Sequence, residues 1–122
     1  CNECKEAYKP NPDLLKKIGL DPEETPVLYR KFRPSAELVE QGEDIEPCLK
    51  CNDSGYRGRV AIYELIEMND AIRKLLASGA DLAELQAAAR QEDMLTLQKD
   101  AMRHVADGTT SLEELQRVFK NA

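Results

Sequence analysis

Cys48-Leu49-Lys50-Cys51-Asn52-Asp53-Ser54-Gly55-Tyr56-Arg57-Gly58-Arg59-Val60-Ala61-Ile62-Tyr63-Glu64-Leu65 carries the second of two Cys-x-x-Cys units; the first is Cys1-Asn2-Glu3-Cys4. A two-residue spacer lets both sulfurs of a unit reach one ion while backbone amides point at the sulfurs. Two such knuckles complete a tetrahedral shell of four sulfurs, with metal–sulfur distances of about 2.3 Å for zinc. Cys1, Cys4, Cys48 and Cys51 are therefore the expected ligands of one Zn2+ per chain. Four protein ligands leave no open position for water, so the site is expected to be structural rather than catalytic. Two alternatives stay open on spacing: a pair of disulfides or redox-active dithiols, and an iron centre of the same ligand set.

The 43 residues between the knuckles, 5 to 47, make a longer connection than a compact zinc ribbon has. The entropy of closing such a loop grows slowly, by roughly 0.6 kcal/mol per doubling of length. A metal at this spacing ties the start of the chain to its glycine-rich middle. That start needs a staple. All six prolines fall at or before Pro47, and long regular elements are unexpected there.

Local patterns predict short elements only. Asn11 and Pro12 open a helix with Leu14, Leu15 and Ile18 on its apolar side, and Gly19 ends it. Val27–Phe32 reads as a strand, and Ser35–Gln41 as a helical turn followed by a solvated acidic run of Glu43, Asp44 and Glu46. After the turn at Gly55 and Gly58, residues Val60, Ile62 and Tyr63 favour extended chain. Tyr56 and Tyr63 are expected to pack around the knuckle and this segment.

Four helices should follow. Asn69 or Asp70 starts the first, Asp81 caps the second, Thr96 caps the third, and Thr110 with Glu113 has capping-box spacing for the fourth. The fold class expected is α+β, mainly α: a tetracysteine zinc-knuckle part with short strands over residues 1–67, then a bundle of about four short helices over 68–122.

Composition narrows the function. The chain has 122 residues, is 33 % charged and 42 % hydrophobic, and carries a formal net charge of −6. Four thiolates around a divalent ion add to the negative balance, so nucleic acid is not an expected partner, nor is an anionic membrane surface. No apolar run approaches the roughly 20 residues of a membrane span. His104, the only histidine, lies beside Val105 on a helix and is not needed as a ligand. The carboxylate pairs Glu23-Glu24 and Glu113-Glu114 read as solvated or helix-start charges. No nucleophile–histidine set and no G-x-x-x-x-G-K-[ST] phosphate loop is present, so the chain by itself is not expected to be an enzyme. It starts at Cys1 rather than Met and is expected to be cut from a longer protein.

The stretch from Cys48 to Leu65 resembles the tetracysteine region of the secretion ATPases of type II secretion and type IV pilus assembly, with Ser54 where that family has Thr. Gly79-Ala80, Met94-Leu95-Thr96-Leu97-Gln98-Lys99-Asp100 and Asp107-Gly108-Thr109-Thr110-Ser111-Leu112-Glu113-Glu114 resemble its C-terminal helices. Residues 32–47 depart from the pattern. The resemblance implies a parent that is a hexameric, cytoplasmic ATPase, peripheral at the inner membrane. ATP and Mg2+ would sit in a nucleotide-binding core N-terminal to Cys1. Hydrolysis there would drive assembly of a pilin or pseudopilin fibre. The implied partners are that core, neighbouring subunits and an inner-membrane platform protein. Arg57 and Arg59 are candidates for a core or subunit contact, against the alternative of surface pairing with Glu64 or Glu67. Two other functions compete: a free-standing zinc-ribbon adaptor for protein or nucleic acid, and a small redox protein.

Overall fold

The computed structural model describes residues 1–42, 46–91 and 94–120. Its elements are β1 (Lys5–Tyr8), α1 (Pro12–Lys17), β2 (Leu28–Lys31), α2 (Ala36–Glu40), α3 (Asp70–Ala77), α4 (Leu82–Gln91), α5 (Leu97–Ala106) and α6 (Leu112–Lys120). The fold is α+β and mainly α, as the sequence predicts. Glu43 and Asp44 of the acidic run lie outside the described residues; Glu46 is exposed. Among the described residues, no helix is long and apolar enough to cross a membrane.

Helix starts follow side-chain oxygens that satisfy otherwise unpaired first-turn amides. Asn11 accepts from the Asp13 N–H, Ser35 from that of Leu38, and Asn69 from that of Ile72. At α4 the capping is reciprocal. Asp81 Oδ1 accepts the Glu84 N–H at 2.8 Å and Glu84 Oε2 accepts the Asp81 N–H at 3.1 Å. Thr96 Oγ1 accepts from the Lys99 N–H at the start of α5.

At α6 the expected cap moves by one residue. Ser111, not Thr110, accepts from a first-turn amide, that of Glu114 at 3.2 Å. The sequence holds two overlapping patterns, Thr110-x-x-Glu113 and Ser111-x-x-Glu114. The second prevails because Ser111 is buried against Tyr56, whereas Glu113 turns outward to Arg33.

The chain divides into two compact units, Cys1–Val60 with Met102–Ala122, and Ala61–Ala101. In the first, β1 and β2 pair antiparallel with Glu6 opposite Arg30 and Ala7 opposite Tyr29. The Arg30 guanidinium bonds Glu6 at 3.2 Å and lies over the Tyr8 ring at 5.1 Å. A lone two-stranded sheet is marginal in water. Its support comes from a small core in which Leu15, Leu28 and Val105 are fully buried, joined by Leu115.

In the second unit α3 packs on α4, with Ile72, Ala89 and Ala101 buried. The segment after Val60 makes one isolated bridge, Leu65 with Leu95, rather than a ladder. Tyr63 does not pack as expected. Its side chain is 65 % exposed, and it is the backbone N–H that is used, donating to Asp100 Oδ2 at 2.9 Å.

Candidate metal centre

The second knuckle is built by an unusual backbone. Asn52 and Asp53 both adopt positive φ, 50° and 57°. Asn and Asp tolerate this region better than other non-glycine residues. The reversal brings the Asp53 N–H back to Cys48 O at 3.1 Å and the Ser54 N–H back to Cys51 O at 3.1 Å. Ser54 Oγ then donates to Cys51 O at 2.6 Å. The turn delivers the Gly55 N–H to Cys51 Sγ at 3.3 Å, which is the amide-to-sulfur contact that a knuckle supplies to a thiolate.

The first knuckle arrives from the other side. The Cys1 backbone nitrogen donates to Gly55 O at 2.8 Å, so Gly55 is held by one knuckle at its amide and by the other at its carbonyl. Only glycine fits there. Its φ is +81°, and a Cβ would sit 2.5 Å from Lys31 Cγ, whose stem covers the turn.

These constraints bring all four sulfurs together. Sγ of Cys1, Cys4, Cys48 and Cys51 lie within 4.8 Å of one another, and Cys4 Sγ is 3.6 Å from Cys51 Sγ across the knuckles. None of the four is in a disulfide. A tetrahedral shell with bonds of about 2.3 Å has sulfur–sulfur edges of about 3.8 Å, so the spacing suits a metal. Cys51 is buried and the other three are half-buried.

The thiols differ electrostatically. Burial and hydrogen bonds with Cys51 and Cys48 push the Cys4 thiol up to about 11. Burial also acts upward on Cys51, but the Gly55 amide, Cys4, Cys48 and Ser54 outweigh it and bring that thiol down to about 7. A charge-rich donor set of this kind is what a divalent ion would neutralise.

The two arginines follow the second knuckle in sequence. Arg57 lines an open cleft of about 710 Å³ with Cys1, Lys5, Lys50 and Asp107, and Arg59 is exposed. Among the described residues neither forms an ion pair. Residue-type patterns flagged the four ligands but not their supports, Gly55, Ser54 and Lys31. The turn-forming run Asn52-Asp53-Ser54-Gly55 was the available signal for the first two. Lys31 comes from a distant strand and left none.

Comparison with known proteins finds relatives of this chain. A family model described as "Type II/IV secretion system protein" matches residues 1–117, a span that includes 32–47. "Type IV pilus assembly ATPase PilB" of Thermus thermophilus is 32 % identical over 117 residues, which is 94 % of this chain and 12 % of that protein. "Type II secretion system ATPase E" of Vibrio cholerae is 32 % identical over 122 residues, 100 % of this chain and 21 % of its own length. A second "Type IV pilus assembly ATPase PilB", from Myxococcus xanthus, is 46 % identical over 68 residues, 56 % of this chain and 12 % of itself. The chain thus spans between 12 % and 21 % of these relatives.

Proposed function

This chain belongs to the Type II/IV secretion system protein family, and on that premise we propose that it is the zinc-stapled C-terminal domain of a hexameric secretion or pilus-assembly ATPase. The observation that carries this reading is the convergence of four sulfurs within 4.8 Å from two knuckles far apart in sequence. Cys1, Cys4, Cys48 and Cys51 hold one Zn2+, whose contribution is charge neutralisation and cross-linking. The domain itself hydrolyses nothing, since it carries no phosphate loop. ATP and Mg2+ belong to a core N-terminal to Cys1, in a protein that is cytoplasmic and peripheral at the inner membrane.

The task of the domain is mechanical. It presents surfaces to the core, to neighbouring subunits and to an inner-membrane platform protein, and so couples hydrolysis to assembly of a pilin or pseudopilin fibre. The exposure of Tyr63, Leu65, Ile66 and Met68 within one short segment supports such a surface, because clustered apolar residues are seldom left to water. Arg57 and Arg59, both free of ion pairs among the described residues, suit a contact with the core or an adjacent subunit.

Two variants of the intact parent test the reading. Cys48→Ser should reduce fibre assembly or secretion while leaving nucleotide affinity unchanged; full secretion would count against the staple. Arg59→Ala should slow ATP hydrolysis by roughly tenfold, the scale of one charged contact worth about 1.4 kcal/mol in the transition state. An unchanged rate would sink the arginine contact and leave the staple standing.

A further inference from the structure

We propose that Tyr56 is the positioning residue through which the tetracysteine centre fixes the corner between α5 and α6. The proposal rests on reading the four cysteines as a metal site and assigns that site an output.

The connection runs through named atoms. Gly55 is clamped between Cys51 Sγ at its amide and the Cys1 nitrogen at its carbonyl, so both knuckles must be in place to locate it. Tyr56 follows directly, and its backbone is tied as well: its N–H donates to Ser54 Oγ at 3.4 Å, while that hydroxyl donates to Cys51 O. From this anchored start the Tyr56 hydroxyl hydrogen-bonds Ser111 Oγ, 55 positions further along the chain. Ser111 is buried and is the residue that caps α6 through the Glu114 N–H. A hydroxyl has one donor and two acceptor sites, so Ser111 serves the helix and the tyrosine together.

The rest of the corner is gripped from the sheet. Lys5 Nζ donates to Gly108 O at 3.0 Å and lies 4.5 Å from the centre of the Tyr29 ring, which in turn covers Gly108. Lys5 follows Cys4 in sequence, so the first knuckle locates this contact too. Helix α6 has nine residues, too few to persist alone in water, and its register depends on such anchors. Losing the ion would free Gly55, displace the Tyr56 hydroxyl and loosen α6.

Hydrogen exchange with mass spectrometry on the 122-residue chain tests this, with zinc content measured on the same samples. Chelation of the wild type should raise exchange across residues 109–117. Tyr56→Phe, with zinc still at one per chain, should raise exchange there by about fivefold, the scale of one net hydrogen bond. Ser111→Thr, which keeps both the hydroxyl and the cap, should retain protection. Full zinc with unchanged exchange in Tyr56→Phe overturns the coupling and leaves the metal reading intact. A wild type that binds no zinc overturns both. Should Tyr56→Phe fail to fold, zinc titration of the wild type decides: protection of 109–117 that does not follow metal occupancy overturns the proposal.

Discussion

Stripping the metal with a chelator should abolish the cooperative thermal transition of the unit formed by Cys1–Val60 and Met102–Ala122. Its apolar content explains why. Among the described residues its largest fully buried side chains are Leu15, Leu28 and Val105, and the sheet has two strands of four residues. Structural zinc sites contribute on the order of 10 kcal/mol to folding, comparable to the entire stability of a small domain. Without an ion the four thiols are joined only by weak sulfur contacts such as Cys4 Sγ to Cys51 Sγ at 3.6 Å, which do not replace it. Cys48→Ser should cost more than about 3 kcal/mol and cut zinc affinity. Circular dichroism melts with and without chelator, on wild type and variant, check both. A melt that is insensitive to chelation would mean that the hydrophobic core alone carries the fold.

Gly108→Ala is the second large effect. Gly108 ends α5 at φ +68°, and a Cβ there would run into the Tyr29 ring. Tyr29 cannot easily give way, because it sits in the β2 register opposite Ala7 and under the Lys5 ammonium. Left-handed strain of about 1 kcal/mol and overpacking of about 2 kcal/mol combine to about 3 kcal/mol. Gly19→Ala is the control within the same unit. Its φ is +77° but nothing lies within 4 Å of the added carbon, so only the strain applies. Urea denaturation should separate the two by about 2 kcal/mol. Equal losses would show that the ring approach at Gly108 does not matter.

Much of this fold is written in short-range chemistry and was legible there. Asn11, Asn69, Asp81 and Thr96 cap the helices expected of them because a cap depends on a side chain and an amide two or three residues away. Strand β2 was visible in its aliphatic and aromatic run. Strand β1, Lys5-Glu6-Ala7-Tyr8, was not, since its strand character comes from partners more than 20 residues away: Glu6 facing Arg30, and Lys5 reaching the Tyr29 ring. The shift of the α6 cap to Ser111 has the same origin, because the hydroxyl of Tyr56 chooses between two local patterns of equal merit. At the metal site the ligands were legible from spacing and their supports were not. Tyr63 departs from the expected packing because its apolar character does not by itself decide burial within this chain, where the residue is exposed.

The central claim is that four thiolates hold one metal ion. Elemental analysis of the purified chain, joined to X-ray absorption at the metal edge, tests it most directly. The account predicts one zinc per chain, coordinated by four sulfurs at about 2.3 Å. A chain without stoichiometric metal, or one whose metal is bound by nitrogen or oxygen in place of any of the four sulfurs, would contradict it.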